Sequence, residues 1–374
     1  MAIIHIDYAT GDDTTGDGSS GTPYKTLTKA FAVLTTADSI KIANTSAQQE
    51  TNLAFPALTF TLDAPLIIEG WDNGGSIEIN SPAGNYTGVG QIDNGGTTNP
   101  LFSNAIAQVR FYRIKFTDFN TAFWSTAKTG VSFVQCEFND CAGAGETSAC
   151  FMTGCYYLGP TAYAVVNFGN QSWIYGNYFS RVRHQAMGAG TQYQNNIAID
   201  HDVSAVSING DHLRIVNNTF IGQNLGSATA NSPIRFSADT AENIVIIGNH
   251  FQDYSGAGGY GVETIVTLPA TRGTVAMIGG NSFYNVNTTY ETGILATAVV
   301  DITATDITEV ADPLENIAGL EYQKKTTSLS YEENPSFTGW VETNTLSNMT
   351  TGAVPNEAGS GGGGGIIGGS WGYT

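Results

Sequence analysis

Charge is scarce in this sequence. Asp, Glu, Lys and Arg together make up 13% of its 374 residues, about half the share usual in globular domains. Solvated helix faces are built from Glu, Lys and Arg, so the shortage excludes a coiled coil and argues against any long-helix architecture. Positive charge is scarcer still: 14 Lys and Arg stand against 33 Asp and Glu, for a formal net charge of -19. Binding to a phosphate backbone needs a basic stripe, so nucleic acid is not an expected partner. The acidic excess serves colloidal stability first, and it also suits saline surroundings or cation binding. No apolar run approaches the length of a membrane span; the most apolar stretch, Ile294 to Val300, is too short, and no membrane partner is expected. The opening residues, Met1-Ala2-Ile3-Ile4-His5-Ile6-Asp7, contain neither a basic region nor a long apolar one, so no signal peptide is expected. The phosphate-loop pattern G-x-x-x-x-G-K-[ST] and the metalloprotease pattern H-E-x-x-H are both missing.

Cysteine is also sparse, and all four fall in one window: Cys136, Cys141, Cys150 and Cys155. Their spacing admits a zinc ion or a disulfide, but metal fingers use tighter pairs. The favoured reading is four reduced thiols packed as small hydrophobes.

What the sequence does have is glycine (45 residues) and aromatic side chains (18 Phe and 17 Tyr), enough for a sizeable core. One pattern recurs: apolar, x, apolar, x, x, small or polar, x, aromatic. It appears as Val109-x-Phe111-x-x-Ile114-x-Phe116, as Val131-x-Phe133-x-x-Cys136-x-Phe138, and as Cys150-x-Met152-x-x-Cys155-x-Tyr157. Later copies end in Asn177-x-Phe179, Asn218-x-Phe220, Asn249-x-Phe251 and Asn281-x-Phe283. The closing aromatics are spaced by 22, 19, 22, 41, 31 and 32 residues, and a weaker copy at Asn195-x-Ile197 divides the longest interval. The period-2 run reads as a short strand with one face inward. The x-x-Asn step breaks the alternation, and Asn tolerates the left-handed region, so it is expected to turn the chain. Repeats of about 20 residues that stack in this way form a parallel β-helix. Equivalent positions then lie about 4.8 Å apart, giving ladders of Phe on Phe and Asn on Asn. Cys136 and Cys155 take the Asn position, which supports packing over metal binding. The two longest undivided intervals need inserted loops, expected at Gly222–Asn231 and Gly256–Tyr260. A propeller or sandwich would use hairpin turns between longer strands and fits less well.

The first residues add a second signal: Ile4-x-Ile6-Asp7, then Gly11-Asp12-Asp13, Gly16-Asp17-Gly18 and Gly21-Thr22-Pro23-Tyr24-Lys25-Thr26-Leu27-Thr28-Lys29-Ala30-Phe31. This stretch resembles the N-terminus of right-handed parallel β-helix proteins of the pectate-lyase-like superfamily. The resemblance covers about 35 residues, and the repeats extend it to about residue 300. It implies an opening strand and a short helix that caps the open end of the coil. Thr26, Leu27, Ala30, Phe31 and Leu34 would give that helix one apolar side. The expected fold is therefore all-β: one single-stranded right-handed parallel β-helix with an N-terminal helical cap and an irregular C-terminal extension. The expected divisions are 1–35 for the opening strand and cap, 36–310 for the helix, 311–358 for a C-terminal cap or extension, and 359–374 for a Gly-rich tail. In that tail Ile366, Ile367, Trp371 and Tyr373 are candidate assembly anchors.

Superfamily members often cleave polysaccharides, and the resemblance implies Asp-bound calcium with a basic residue, or paired carboxylates. One polar region supplies such residue types: Arg181, Arg183 and His184, then Asp200, His201, Asp202, Asp211 and His212. Arg183, His184, Asp200, Asp202, Asp211 and His212 are the catalytic candidates; ordinary solvated turn residues are the competing reading. Tyr175, Tyr178 and Tyr193 are candidates for stacking on a sugar. The Asp12-Asp13…Asp17 loop lacks the spacing of an EF-hand and reads as a polar turn rather than a metal site. No cofactor is expected, with calcium the one ion the residue types would suit. Three functional classes follow. The first is a virion structural protein (capsid decoration, spike or fibre), implied by the use of β-helices in phage fibres and tailspikes, often as trimers. Its partners would be copies of itself, other virion proteins and a host-surface polysaccharide. The second is a polysaccharide lyase or glycoside hydrolase, and the third an extracellular bacterial adhesin.

Overall fold

A computed structural model of the chain describes residues 2–44, 47–49, 53–71, 78–80, 85–87, 90–93, 101–102, 107–119, 128–141, 147–159, 164–201, 203–222, 232–255, 259–268 and 273–310. Among these, apart from one antiparallel pair, Glu78–Asn80 with Asn85–Thr87, strands pair in parallel. The fold is a right-handed parallel β-helix with three faces. One sheet of 19 strands comprises two of the faces, because the long strand Lys128–Val134 pairs with both Thr147–Ser148 and Phe151–Thr153. We name the faces in chain order around one coil. Sheet I contains strands such as Trp173–Tyr175, sheet II strands such as Tyr178–Ser180, and sheet III strands such as Val182–Met187. No helix among the described residues is long and apolar enough to cross a membrane.

Sheet I begins at the first strand, Ile3–Ile6, which pairs with Ser39–Ala43, then Leu66–Trp71, then Ala107–Tyr112. The opening strand is thus the first rung of the coil, not a separate element. These early rungs escape the sequence repeat because long connections separate them. The helix Leu27–Val33 lies in the first of those connections. Thr26 caps it, its Oγ1 accepting from Lys29 N at 3.1 Å. Asp13 fixes that cap by accepting from Lys25 N (2.7 Å), Thr26 N (3.0 Å) and Thr26 Oγ1 (2.7 Å). Leu27, Ala30 and Phe31 turn inward, and Phe31 meets Phe55 with ring centroids 5.9 Å apart.

The inward column of sheet I runs Phe111, Phe133, Met152, Ile174, Tyr193, Ile215, Ile246 and Ile278. Sheet II stacks rings, as expected: Phe116 on Phe138 at 5.2 Å, Phe138 on Tyr157 at 5.3 Å, Phe220 on Phe251 at 5.4 Å and Phe251 on Phe283 at 5.1 Å. Each such buried ring contributes about 1.5–3 kcal/mol relative to exposure.

The corner between sheets I and II differs from the sequence expectation. The left-handed residue is the one before the repeated Asn: Arg113, Gln135, Gly154, Gly176, Asn195, Asn217, Gly248 and Gly280, with φ between 52° and 66°. Asn177, Asn196, Asn218, Asn249 and Asn281 themselves are buried and hydrogen-bond from coil to coil. Asn177 N donates to Asn196 Oδ1 (2.9 Å), Asn196 N to Asn218 Oδ1 (2.9 Å), Asn218 N to Asn249 Oδ1 (3.0 Å) and Asn249 N to Asn281 Oδ1 (2.8 Å). Their amide nitrogens donate to sheet I carbonyls, as Asn218 Nδ2 does to Tyr193 O at 2.9 Å. Asn is thus selected here as a donor and acceptor for buried backbone, not as a turn former.

The four cysteines are free and buried. Cys155 N donates to Asn177 Oδ1 (2.9 Å), and Cys136 N to Cys155 Sγ (3.4 Å), so two thiols continue the Asn column. Burial pushes the Cys141 thiol up to about 12. The packing reading holds.

Of the two expected loops, 223–231 and 256–258 lie outside the described residues. Tyr260 belongs to the strand Tyr260–Thr264. The expected extension and tail, 311–374, with Ile366, Ile367, Trp371 and Tyr373, also lie outside them.

Candidate functional site

Stacking register decides which of the polar candidates meet. Arg181 (φ 54°) and Asp200 (φ 49°) each follow a sheet II strand and occupy the same corner, between sheets II and III. Asp211 and His212 (φ 59°) occupy the opposite end of sheet III, at the corner leading to sheet I. There Asp211 Oδ1 accepts from Glu242 N at 2.9 Å, and His212 N donates to Glu242 O at 2.8 Å. A strand such as Val182–Met187 separates the two corners by roughly 20 Å. Asp200 and the Asp211–His212 pair are therefore turn residues of different corners. Arg183 and His184 lie on the sheet III strand itself, and Asp202 lies outside the described residues. His201 is buried inside the coil, with Nε2 3.3 Å from Tyr254 Oη. Burial, reinforced by the charge of Arg235, lowers its pKa to about 3, so it is a neutral core side chain.

Among the described residues no group of three or more His, Cys, Asp or Glu is placed to hold a metal ion. The N-terminal carboxylates serve the loop that carries them. Asp12 accepts from Thr14 N (2.6 Å) and Thr15 N (3.0 Å), and Asp17 accepts from Ser19 N (2.9 Å) and the Thr22 hydroxyl.

The three candidate tyrosines separate completely. Tyr193 is 1% exposed and points into the core, where no sugar can reach it. Tyr178 points outward from sheet II but is buried, stacked on Tyr156 with centroids 4.8 Å apart and planes at 4°. Only Tyr175 is exposed, at 46%. It shares its outward face with Trp173, which is 54% exposed, and with Phe151, 37% exposed, one coil earlier on sheet I. Trp173 and Phe151 are not among the candidates named from the sequence. The signal for them was available: both sit one residue before the inward position of the repeat, so alternation alone turns them outward.

Register extends this surface into two columns. One reads Arg110, Ser132, Phe151, Trp173, Gln192, Arg214; the other reads Tyr112, Val134, Thr153, Tyr175, Gln194, Val216. Successive rungs are about 4.8 Å apart, so each column is a straight track of roughly 24 Å. Gln194 Nε2 donates to Gln192 Oε1 at 3.0 Å, which orients both amides on the sheet. Over these six rungs neither column carries a carboxylate, although the chain as a whole has a net charge of -19; the next rung before Tyr112 is Glu69, which pairs with Lys41 and Arg113. Exposed rings flanked by amide and guanidinium donors can stack on the C–H faces of sugars and hydrogen-bond their hydroxyls. Sheet III presents a different feature: Arg235 Nε donates to Glu263 Oε2 at 2.8 Å, a largely buried ion pair on its outer face.

Residues 9–121 match a family described as "Protein of unknown function (DUF1565)". No curated protein matches the sequence. Among solved structures, the chain is similar to pectate lyase Pel9A, with a TM-score of 0.58 and 12% identity over 96% of this chain and 97% of that one. That likeness establishes the pectate-lyase-like parallel β-helix as the fold. More distant likenesses include the GH136 lacto-N-biosidase from Eubacterium ramulus (TM-score 0.44, 11% identity, 82% of this chain and 68% of that one). Tailspike protein 3 of bacteriophage CBA120 is more remote still (TM-score 0.34, 14% identity, 80% and 61%).

Proposed function

We propose that this protein is a virion structural protein, a capsid decoration, spike or fibre, that binds a host-surface glycan along sheet I. The observation that carries the glycan reading is the exposed ring surface of Phe151, Trp173 and Tyr175. Large exposed aromatics disfavour a surface that meets only water, and they mark binding sites. The flat track also runs parallel to the coil axis, which suits an extended chain of sugars. The two Arg and the absence of carboxylates on the track suit acidic sugars in an otherwise acidic molecule. The virion reading draws on the use of parallel β-helices in phage fibres and tailspikes, and on the apolar residues Ile366, Ile367, Trp371 and Tyr373 in the Gly-rich tail. Those residues would hold the protein to a neighbouring subunit, as a homotrimer or on another particle protein.

Titration calorimetry against acidic surface polysaccharides tests the glycan site. Trp173→Ala is expected to weaken binding about tenfold, or about 1.4 kcal/mol; unchanged affinity would refute the sheet I site. Removal of Gly359–Thr374 is expected to abolish oligomerisation or incorporation into particles, and assembly at wild-type level would refute the anchor. The alternative reading, a polysaccharide-cleaving enzyme, draws on the Arg235–Glu263 pair of sheet III. Unsaturated products or new reducing ends that vanish in Glu263→Gln would establish it instead.

A further inference from the structure

The same alternation that exposes one face of sheet I leads to the opposite result on sheet II. Its outward column includes Tyr156, Tyr178, Thr219, His250 and Ser282, each opposite the next in register or one rung removed. These five are buried, with Thr219, His250 and Ser282 0% exposed and Tyr156 and Tyr178 7% and 8% exposed, and Ile197, the sixth residue of the column, is partly buried. Beside them Ile199 and Ile221 form an apolar stripe with the two tyrosines. Side chains that point away from the core and yet exclude solvent must lie beneath a cover.

We propose that residues 311–358 of the same chain dock along the outer face of sheet II. Two features of the molecule favour this occupant. The described chain ends at Val310, directly after the last sheet II strand, Ile307–Thr308, with Glu309 N still donating to Phe283 O at 2.8 Å. Residue 311 is therefore joined covalently to the last described rung of sheet II. The covered stretch from Tyr156 to Ser282 spans five rung steps, roughly 24 Å, which about seven extended residues cross. The nine residues 223–231 join Gly222 to Ser232 of one coil, so an extended excursion and return reaches roughly 15 Å at most. Residues 311–358 are long enough for the whole face, and they bring Phe337, Trp340 and Val341 as apolar groups for the stripe. The docked segment would leave the Gly-rich tail free to engage a neighbour. The proposal does not depend on the glycan reading.

Photo-crosslinking in the full-length chain tests it. With p-benzoylphenylalanine at Tyr178, illumination is expected to join that position to a peptide from 311–358 of the same chain. The same probe at the exposed Tyr175 should yield no such product. Mixing with isotope-labelled protein separates links within a chain from links between copies. Products that map to 223–231, to another loop, or to a second copy would overturn the proposal. If the Tyr178 variant fails to fold, the probe at the partly buried Leu158, next to the same stripe, gives the same discrimination.

Discussion

Tyr193 occupies the space left beside Ala198. In the sheet II column Phe179 is followed by Ala198 and then by Phe220, so one rung has no ring. Tyr193 reaches in from sheet I and stacks between them, 6.0 Å from Phe179 and 6.4 Å from Phe220. Its hydroxyl accepts from Gln185 Nε2 of sheet III at 3.2 Å, so one side chain ties all three faces together. Tyr193→Ala is expected to cost about 3–5 kcal/mol, and Ala198→Phe about 1–3 kcal/mol by overpacking. The double variant should be more stable than the sum of the two losses implies, because the new ring enters the vacated space. Denaturant unfolding of the four proteins measures the coupling, and strict additivity would contradict the shared space.

The Asn column predicts a sharp difference between substitutions at one position. Asn218→Ala removes the acceptor of Asn196 N and the donor to Tyr193 O, both buried. Each unsatisfied group costs about 1–3 kcal/mol. Loss of thermal stability should exceed that of Asn217→Gly, one residue earlier, where the left-handed φ of 54° suits glycine. Equal losses would argue against a hydrogen-bonding role for the buried Asn.

The last rung of this column is a carboxylate. Asn281 N donates to Asp306 Oδ1 at 2.8 Å and Tyr290 Oη donates to Asp306 Oδ2 at 2.7 Å. Burial raises the Asp306 pKa to about 6, although the hydrogen bond from Asn281 opposes the shift. Because the folded value lies above the unfolded one, this group's contribution is complete below about pH 4 and is lost as pH rises through about 6. The full difference is up to about 3 kcal/mol. The unfolding free energy from denaturant titration should therefore contain a contribution from this group that is larger at pH 5 than at pH 7. Asp306→Asn, which matches the other rungs, is expected to flatten that dependence. Persistence of the dependence in the variant would assign it to another group.

Trp173 and Tyr178 lie either side of one corner and should respond oppositely to truncation. Trp173→Ala removes an exposed ring and is expected to change stability by less than about 0.5 kcal/mol. Tyr178→Ala removes a ring stacked at 4.8 Å on Tyr156 and is expected to cost about 3 kcal/mol. Comparable losses in chemical denaturation would mean that the two outer faces are not differently covered.

The kind of coil and most of its interior follow from local residue pattern. Inward positions such as Phe111, Phe133, Phe220 and Phe251 are legible because alternation within a strand is local, and identical residues at a repeat stack on one another. The early rungs at Ile3–Ile6 and Ser39–Ala43 were less legible, since the long connections between them hide the period. What happens at and beyond the corners depends on contacts between coils. Whether Asp200 meets His212 depends on the turns that separate them and on the register between coils, neither of which a short motif encodes. The same holds for the outer faces. Trp173 and Tyr178 are both outward aromatics in the sequence, but one meets solvent and the other is covered. Direction relative to the core is a property of the strand, whereas exposure depends on what the rest of the chain lays over it.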